Sequence, residues 1–216
     1  MLKTLAWKES RELLPLAVLA LVAQGLFFAA PWLPLVRWSG DRGTIPFVNQ
    51  SAATQLLYLA GIAAIAAGLW QTLWESGRGT FQFLLHRPVE RSRVFTVKLA
   101  VGMAATLLVA GLPILIYALW AALPGTHASP FFWSMTTWAW LIWFRLPIVY
   151  LGAFLSGLRP GRWFGSRALP LAAAVLVVLF IFALEQWPLA SLVATLAVEA
   201  CFLSVIYRVA ATRDYS

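Results

Sequence analysis

The sequence predicts an all-α polytopic membrane protein with six transmembrane helices and both termini in the cytoplasm. Three observations predict this. First, the 216 residues are 62% hydrophobic and only 11% charged, whereas a soluble domain is about half apolar and about a quarter charged. With a mean hydropathy of +0.81, most of the chain requires lipid as its solvent. Second, the charges gather in short segments between uncharged runs long enough for a helix to cross the hydrocarbon core, about 20 residues. Third, Lys and Arg collect on one side of the resulting plan, the asymmetry that sets membrane orientation.

The elements follow in order. Residues 1–12 set Leu2, Leu5, Ala6 and Trp7 among Lys3, Lys8, Glu9, Arg11 and Glu12, the mixture of a short helix lying in the cytoplasmic interface. The uncharged run 13–36 is the first span. A basic start followed by an apolar run also resembles a signal peptide. This run continues through Trp32 and Leu35, past the usual h-region of about 7–15 residues, so it reads as a retained helix. Residues 52–74 form the second span. No charge occurs between Leu99 and Phe144, too long a stretch for one crossing. The breakers from Pro124 to Pro130 divide it into a third span, 99–123, and a fourth, 131–155, which carries Arg145. A short fifth span covers 168–184, Trp187 and Pro188 make a turn, and 189–207 is the sixth. The chain 1–216 is then a single transmembrane domain with one sizeable cytoplasmic loop, 75–98.

Six crossings place both termini on one side. That side holds Lys3, Lys8, Arg11, Arg78, Arg87, Arg91, Arg93, Lys98, Arg159, Arg162, Arg167, Arg208 and Arg213, against Arg37 and Arg42 opposite. The richer side is cytoplasmic. The net charge of +8 is therefore a topology signal, and no nucleic-acid partner is expected. Lone Cys201 has no disulfide partner and reads as a small core residue. His86 and His127 fall on opposite sides, no cluster has metal-ligand spacing, and neither Ser156 nor Ser204 has a nearby base. No catalytic or metal residue is assigned, and an intramembrane enzyme is disfavoured.

The informative segment is the 75–98 loop. Gly77 and Gly79 allow a sharp turn as the second span leaves the bilayer, and the Thr80 hydroxyl can cap a short helix. Phe81, Phe83, Leu84 and Leu85 cluster on the cytoplasmic side. Pro88 suits the first turn of a new helix, and Arg91, Arg93 and Lys98 can anchor the next span near lipid phosphates. Chemistry alone leaves two readings open: a surface that docks a partner protein, or a loop helix lying on lipid.

Two charges fall inside spans, Arg145 and Glu199, where charges are costly and seek partners or water. Counted from the outer span ends, their depths of about 21 and 15 Å permit a buried pair. The alternatives are snorkelling of Arg145 and a protonated, hydrogen-bonded Glu199. Ala60, Ala64 and Gly68 recur at four-residue spacing in the second span, a pattern that permits close helix packing, within a dimer or simply in an Ala-rich helix.

The segment Glu75, Gly79-Thr80, Leu84-Leu85, Pro88, Arg91 and Lys98 resembles the cytoplasmic loop of ABC-2-type transporter permeases. Gly77 stands where that family often has a second acidic residue. The stretch from Leu5 to Glu12, with Trp7-Lys8-Glu9, resembles the family's amphipathic entry helix. The resemblance implies the permease subunit of an ABC exporter in a bacterial inner membrane. In it the loop is a coupling helix seated on a separate ATPase subunit, with Glu75, Gly79, Thr80, Phe81, Leu84, Leu85, Pro88 and Arg91 as the coupling residues. Glu75 would brace the loop by pairing with an Arg, or stand as a solvated helix-end charge. The chain has no Gly-x-x-x-x-Gly-Lys-Ser/Thr loop, so ATP and Mg would be bound by the partner. A second permease copy or a homologous permease would complete the assembly. The alternative function is a membrane scaffold or assembly factor that moves no substrate.

Overall fold

Long runs of Leu, Ala, Val and Ile in an apolar medium leave the backbone one local way to satisfy its N–H and C=O groups, the α-helix. A computed structural model describes residues 2–29, 45–48, 51–78, 90–126, 130–159, 164–184 and 186–212. Among them the regular structure is helical: α1 (Leu2–Ala29), α2 (Ser51–Arg78), α3 (Arg91–Ala122), a 3-10 turn (Trp133–Thr136), α4 (Thr137–Leu158), α5 (Phe164–Phe182) and α6 (Pro188–Thr212). Five of these, α2 to α6, are long and apolar enough to cross a membrane. The fold is that of a helical, multi-pass membrane protein.

The boundaries differ from the sequence expectation in instructive places. Residues 1–12 are expected to lie in the interface as a separate helix. Instead α1 runs unbroken from Leu2 through Pro15 to Ala29, and its Glu9 is fully buried. Glu9 finds its partners inside the bundle, while Lys3, Arg11 and the apolar Trp7 stay exposed. Helix α3 starts at Arg91, eight residues before the expected span, behind Glu90 as N-cap residue. Pro188 is the first residue of α6, the position where a missing N–H costs nothing.

Contacts between named residues give the topology. Glu9 meets Lys98 and Gln24 meets Val109, so α1 and α3 run side by side in the same direction. Gly68 approaches Tyr150 and Ala153 while Ala60 packs with Leu146, so α2 and α4 also run parallel. Ser156 meets Leu171, Arg145 meets Ser191, and Thr96 meets Tyr207. Thus α1, α3 and α5 run one way and α2, α4 and α6 return. The start of α1 and the end of α6 lie at one end of the bundle, the end that carries the α2–α3 connection.

Helix α4 is the axis of this arrangement. Of its span, 83% is buried inside the protein, against 17% for α5 and for α6. Its closest neighbour is α2, and small residues explain the closeness. Ala60 and Ala64 are buried against it. A Cβ on Gly68 would stand 2.6 Å from the Tyr150 carbonyl oxygen and 2.8 Å from Ala153 Cβ. The Ala60, Ala64 and Gly68 stripe is therefore filled within the chain, by α4, as expected when small residues let helix backbones approach.

Prolines inside helices remove donors, and polar side chains of neighbouring helices bond the backbone near them. Pro113 has no N–H, which leaves the Val109 carbonyl four residues earlier without its helical donor. Gln24 Nε2 on α1 donates to it at 3.2 Å, and Trp143 Nε1 on α4 donates to the Leu107 carbonyl at 2.8 Å. Beside Pro170, the Leu171 N–H donates to Ser156 Oγ at 2.9 Å. These bonds tie α1 and α4 to α3, and α5 to α4.

Candidate functional site beside the connection of α2 and α3

Glu9, Gln71, Lys98 and Tyr150 come from four different helices, and all are buried. Lys98 Nζ lies 2.8 Å from Glu9 Oε1. Gln71 Nε2 donates to Glu9 Oε2 at 3.1 Å and to the Lys98 carbonyl at 3.3 Å. Tyr150 OH donates to Gln71 Oε1 at 2.6 Å. Lys8, partly exposed, adds its ammonium 3.8 Å from Glu9 Oε1 and 3.6 Å from Glu12. Each polar group of the Gln71 amide is used, and the Glu9 carboxylate accepts from two sides. A buried charge pair persists when its geometry is good and further hydrogen bonds satisfy its remaining groups; here Gln71 supplies one such bond to the carboxylate.

The local sequence explains how the cluster fits. Gly102 lies one turn beyond Lys98 on α3, and any Cβ there would collide with the Tyr150 ring and with Gln71 Oε1. Gly157 likewise makes room for Thr72, whose hydroxyl turns back to the Gly68 carbonyl at 3.0 Å. Around these groups pack Leu13, Phe95, Leu99, Phe154, Leu158 and Ile206, which keep water from the pair. Lys98, expected as an anchor to lipid phosphate, is instead a core residue. Its N-terminal neighbours Arg91 and Arg93 stay exposed, and Arg93 bonds Glu90 at 2.8 Å.

The cluster has no nucleophile-and-base arrangement, and no group of three potential metal ligands occurs among the described residues. What its bonds do is join helices. Gln71 lies about two turns before the end of α2, and Lys98 about two turns after the start of α3. Both helices that flank the connection are thus bonded to the same carboxylate, with α1 and α4 bonded in turn.

Of the loop residues singled out from sequence, Gly79, Thr80, Phe81, Leu84, Leu85 and Pro88 lie outside the described residues. Glu75 belongs to α2 with its side chain outside them, and Arg91 opens α3.

Arg145 and Glu199 do not meet. Arg145 Nη2 donates to Ser191 Oγ at 2.7 Å, and the guanidinium stands 4.7 Å over the Phe182 ring. The expected depth assumed a helix starting at 131. Helix α4 starts at Thr137 after the 3-10 turn, and its bond to Ser191 sets Arg145 level with the first turn of α6. Glu199 lies about 12 Å further along α6. Its Oε1 is enclosed and has no hydrogen-bond partner among the described residues. Cys201, expected in the core, is exposed on α6.

Sequence reasoning missed the Glu9–Lys98 pair. The signal was present: Glu9, Gln71 and Lys98 all fall within about one turn of the same ends of the first three expected spans. No family model matches the chain, no curated protein matches it, and no solved structure matches it.

Proposed function

We propose that the chain is the membrane-spanning permease subunit of an ATP-driven exporter of the ABC-2 type. It crosses a bacterial inner membrane six times and docks a separate ATPase, which binds ATP and Mg, through the 75–98 loop. A second permease completes the assembly. The observation that carries the reading is the loop motif, set between two helices whose loop-side ends share one buried carboxylate. A push on the loop reaches α2 and α3 together and passes through Glu9 and Tyr150 to α1 and α4. Packed elements tied in this way shift as units.

Leu84→Asp or Leu85→Asp tests it. A charge at a desolvated contact is costly, and the change lies outside the spans. Membrane insertion should survive, while co-purification of the ATPase and substrate-stimulated ATP hydrolysis should fall sharply. A variant that inserts and retains full ATPase binding and coupling would shift the assignment to a scaffold that moves no substrate.

A further inference from the structure

On the outer surface of the bundle, α1 and α3 enclose an open groove of about 370 Å³. Its lining includes the small side chains Ala17, Ala104 and Ala105. Its rims are Leu14 and Leu108, 59% and 60% exposed. Only Ser10, at the end near the Glu9–Lys98 cluster, brings a hydroxyl. From Ser10 to Leu21 the groove runs about 16 Å at 1.5 Å per residue, the depth of one leaflet of a hydrocarbon core about 30 Å thick.

The residues beyond its mouth have the order of a lipid head region. Trp7, 71% exposed, stands one turn before Ser10, and Trp favours the level where hydrocarbon meets headgroups. Exposed Lys3 lies two turns before Ser10 on the same helix face, about 10 Å further out, within the headgroup layer. Arg11, also exposed, adds a second cation near the mouth. The groove is thus apolar along one leaflet and cationic where a phosphate would stand.

We infer that this groove binds one acyl chain of an anionic phospholipid from the leaflet at the Glu9–Lys98 end, with Lys3 facing the headgroup phosphate. Leu14 and Leu108 flank the chain, and the small alanine side chains of the lining leave it room that an all-Leu surface would not. The inference is independent of any ATPase.

The test uses the full chain in vesicles of phosphatidylethanolamine with a minority of phosphatidylglycerol carrying a photoactivatable acyl chain. Adducts should map to peptides containing Leu14–Ala17 and Ala104–Leu108. Ala104→Trp fills an exposed position and should remove most of that adduct while leaving the melting temperature unchanged. Ser10→Trp, at the mouth, provides the second such variant. Lys3→Gln should lower the phosphatidylglycerol adduct about fivefold, the factor that about 1 kcal/mol per surface lysine corresponds to, with little effect on a phosphatidylethanolamine probe. Adducts spread evenly over α5 and α6 as well, or untouched by Ala104→Trp, would overturn the inference. So would disulfide formation between copies carrying Ala104→Cys with Cys201→Ser, since a second copy would then occupy the groove.

Discussion

The two ends of the bundle are held by different physics. At the end beside the α2–α3 connection, directional bonds join four helices: a Glu9–Lys98 pair at 2.8 Å, a shared Gln71 amide and a Tyr150 hydroxyl. At the far end the contacts are mostly rings. Phe47, held at a positive φ of 64°, inserts beside Tyr117 at 4.8 Å and Phe131 at 6.4 Å, and Trp140 meets Trp143 edge-on at 5.5 Å. The charge at that end, Arg145, is held by a hydroxyl and a ring. Ring contacts tolerate sliding; a buried ion pair does not, because separation leaves a charge unmatched in a dry site. The stiff end is also the end at which the proposed ATPase would act.

The comparison predicts a ranking of substitutions, read as thermal unfolding of the purified protein. Lys98→Ala should cost the most, about 3–5 kcal/mol, since Glu9 would be left buried without its cation. Glu9→Leu combined with Lys98→Met should recover much of that loss. If the double variant is only the sum of the singles, the pair is not a unit. At the far end, Ser191→Ala removes one hydrogen bond to a charged group and should cost about 1.5–3 kcal/mol. A loss larger than that of Lys98→Ala would invert the assignment of the stiff end. Gln24→Leu should cost least, about 0.6 kcal/mol, the usual size of a polar contact between membrane helices. Hydrogen exchange near Pro113 should rise with it, because the Val109 carbonyl loses its substitute donor. Unchanged exchange there would mean that the proline site is satisfied by other means.

The solvent of this protein, its helical class and most of its breaks are legible from the residues alone. Those properties depend on local chemistry: apolar runs of sufficient length, and breakers such as Pro124-Gly125, where Gly125 turns at φ 85°, and Trp187-Pro188. Its loop motif carried the functional proposal, and Ala60, Ala64 and Gly68 announced a close packing face. The tertiary structure alone decided what that face packs against, which is α4. It decided that Glu9 and Lys98 are partners in the core rather than an interfacial acid and a lipid anchor, and that Arg145 takes Ser191 and Phe182 while Glu199 lies deeper. It also decided that Cys201, read from its apolar neighbours as a core residue, is exposed on α6. Each of these outcomes depends on helix rotation and axial offset. Arg145 sits beside Ser191, two turns or about 12 Å short of Glu199 at 1.5 Å per residue, and that axial offset exchanges one partner for another. Periodicity shows that a helix has faces; only the packing of its neighbours decides which polar groups those faces bring together.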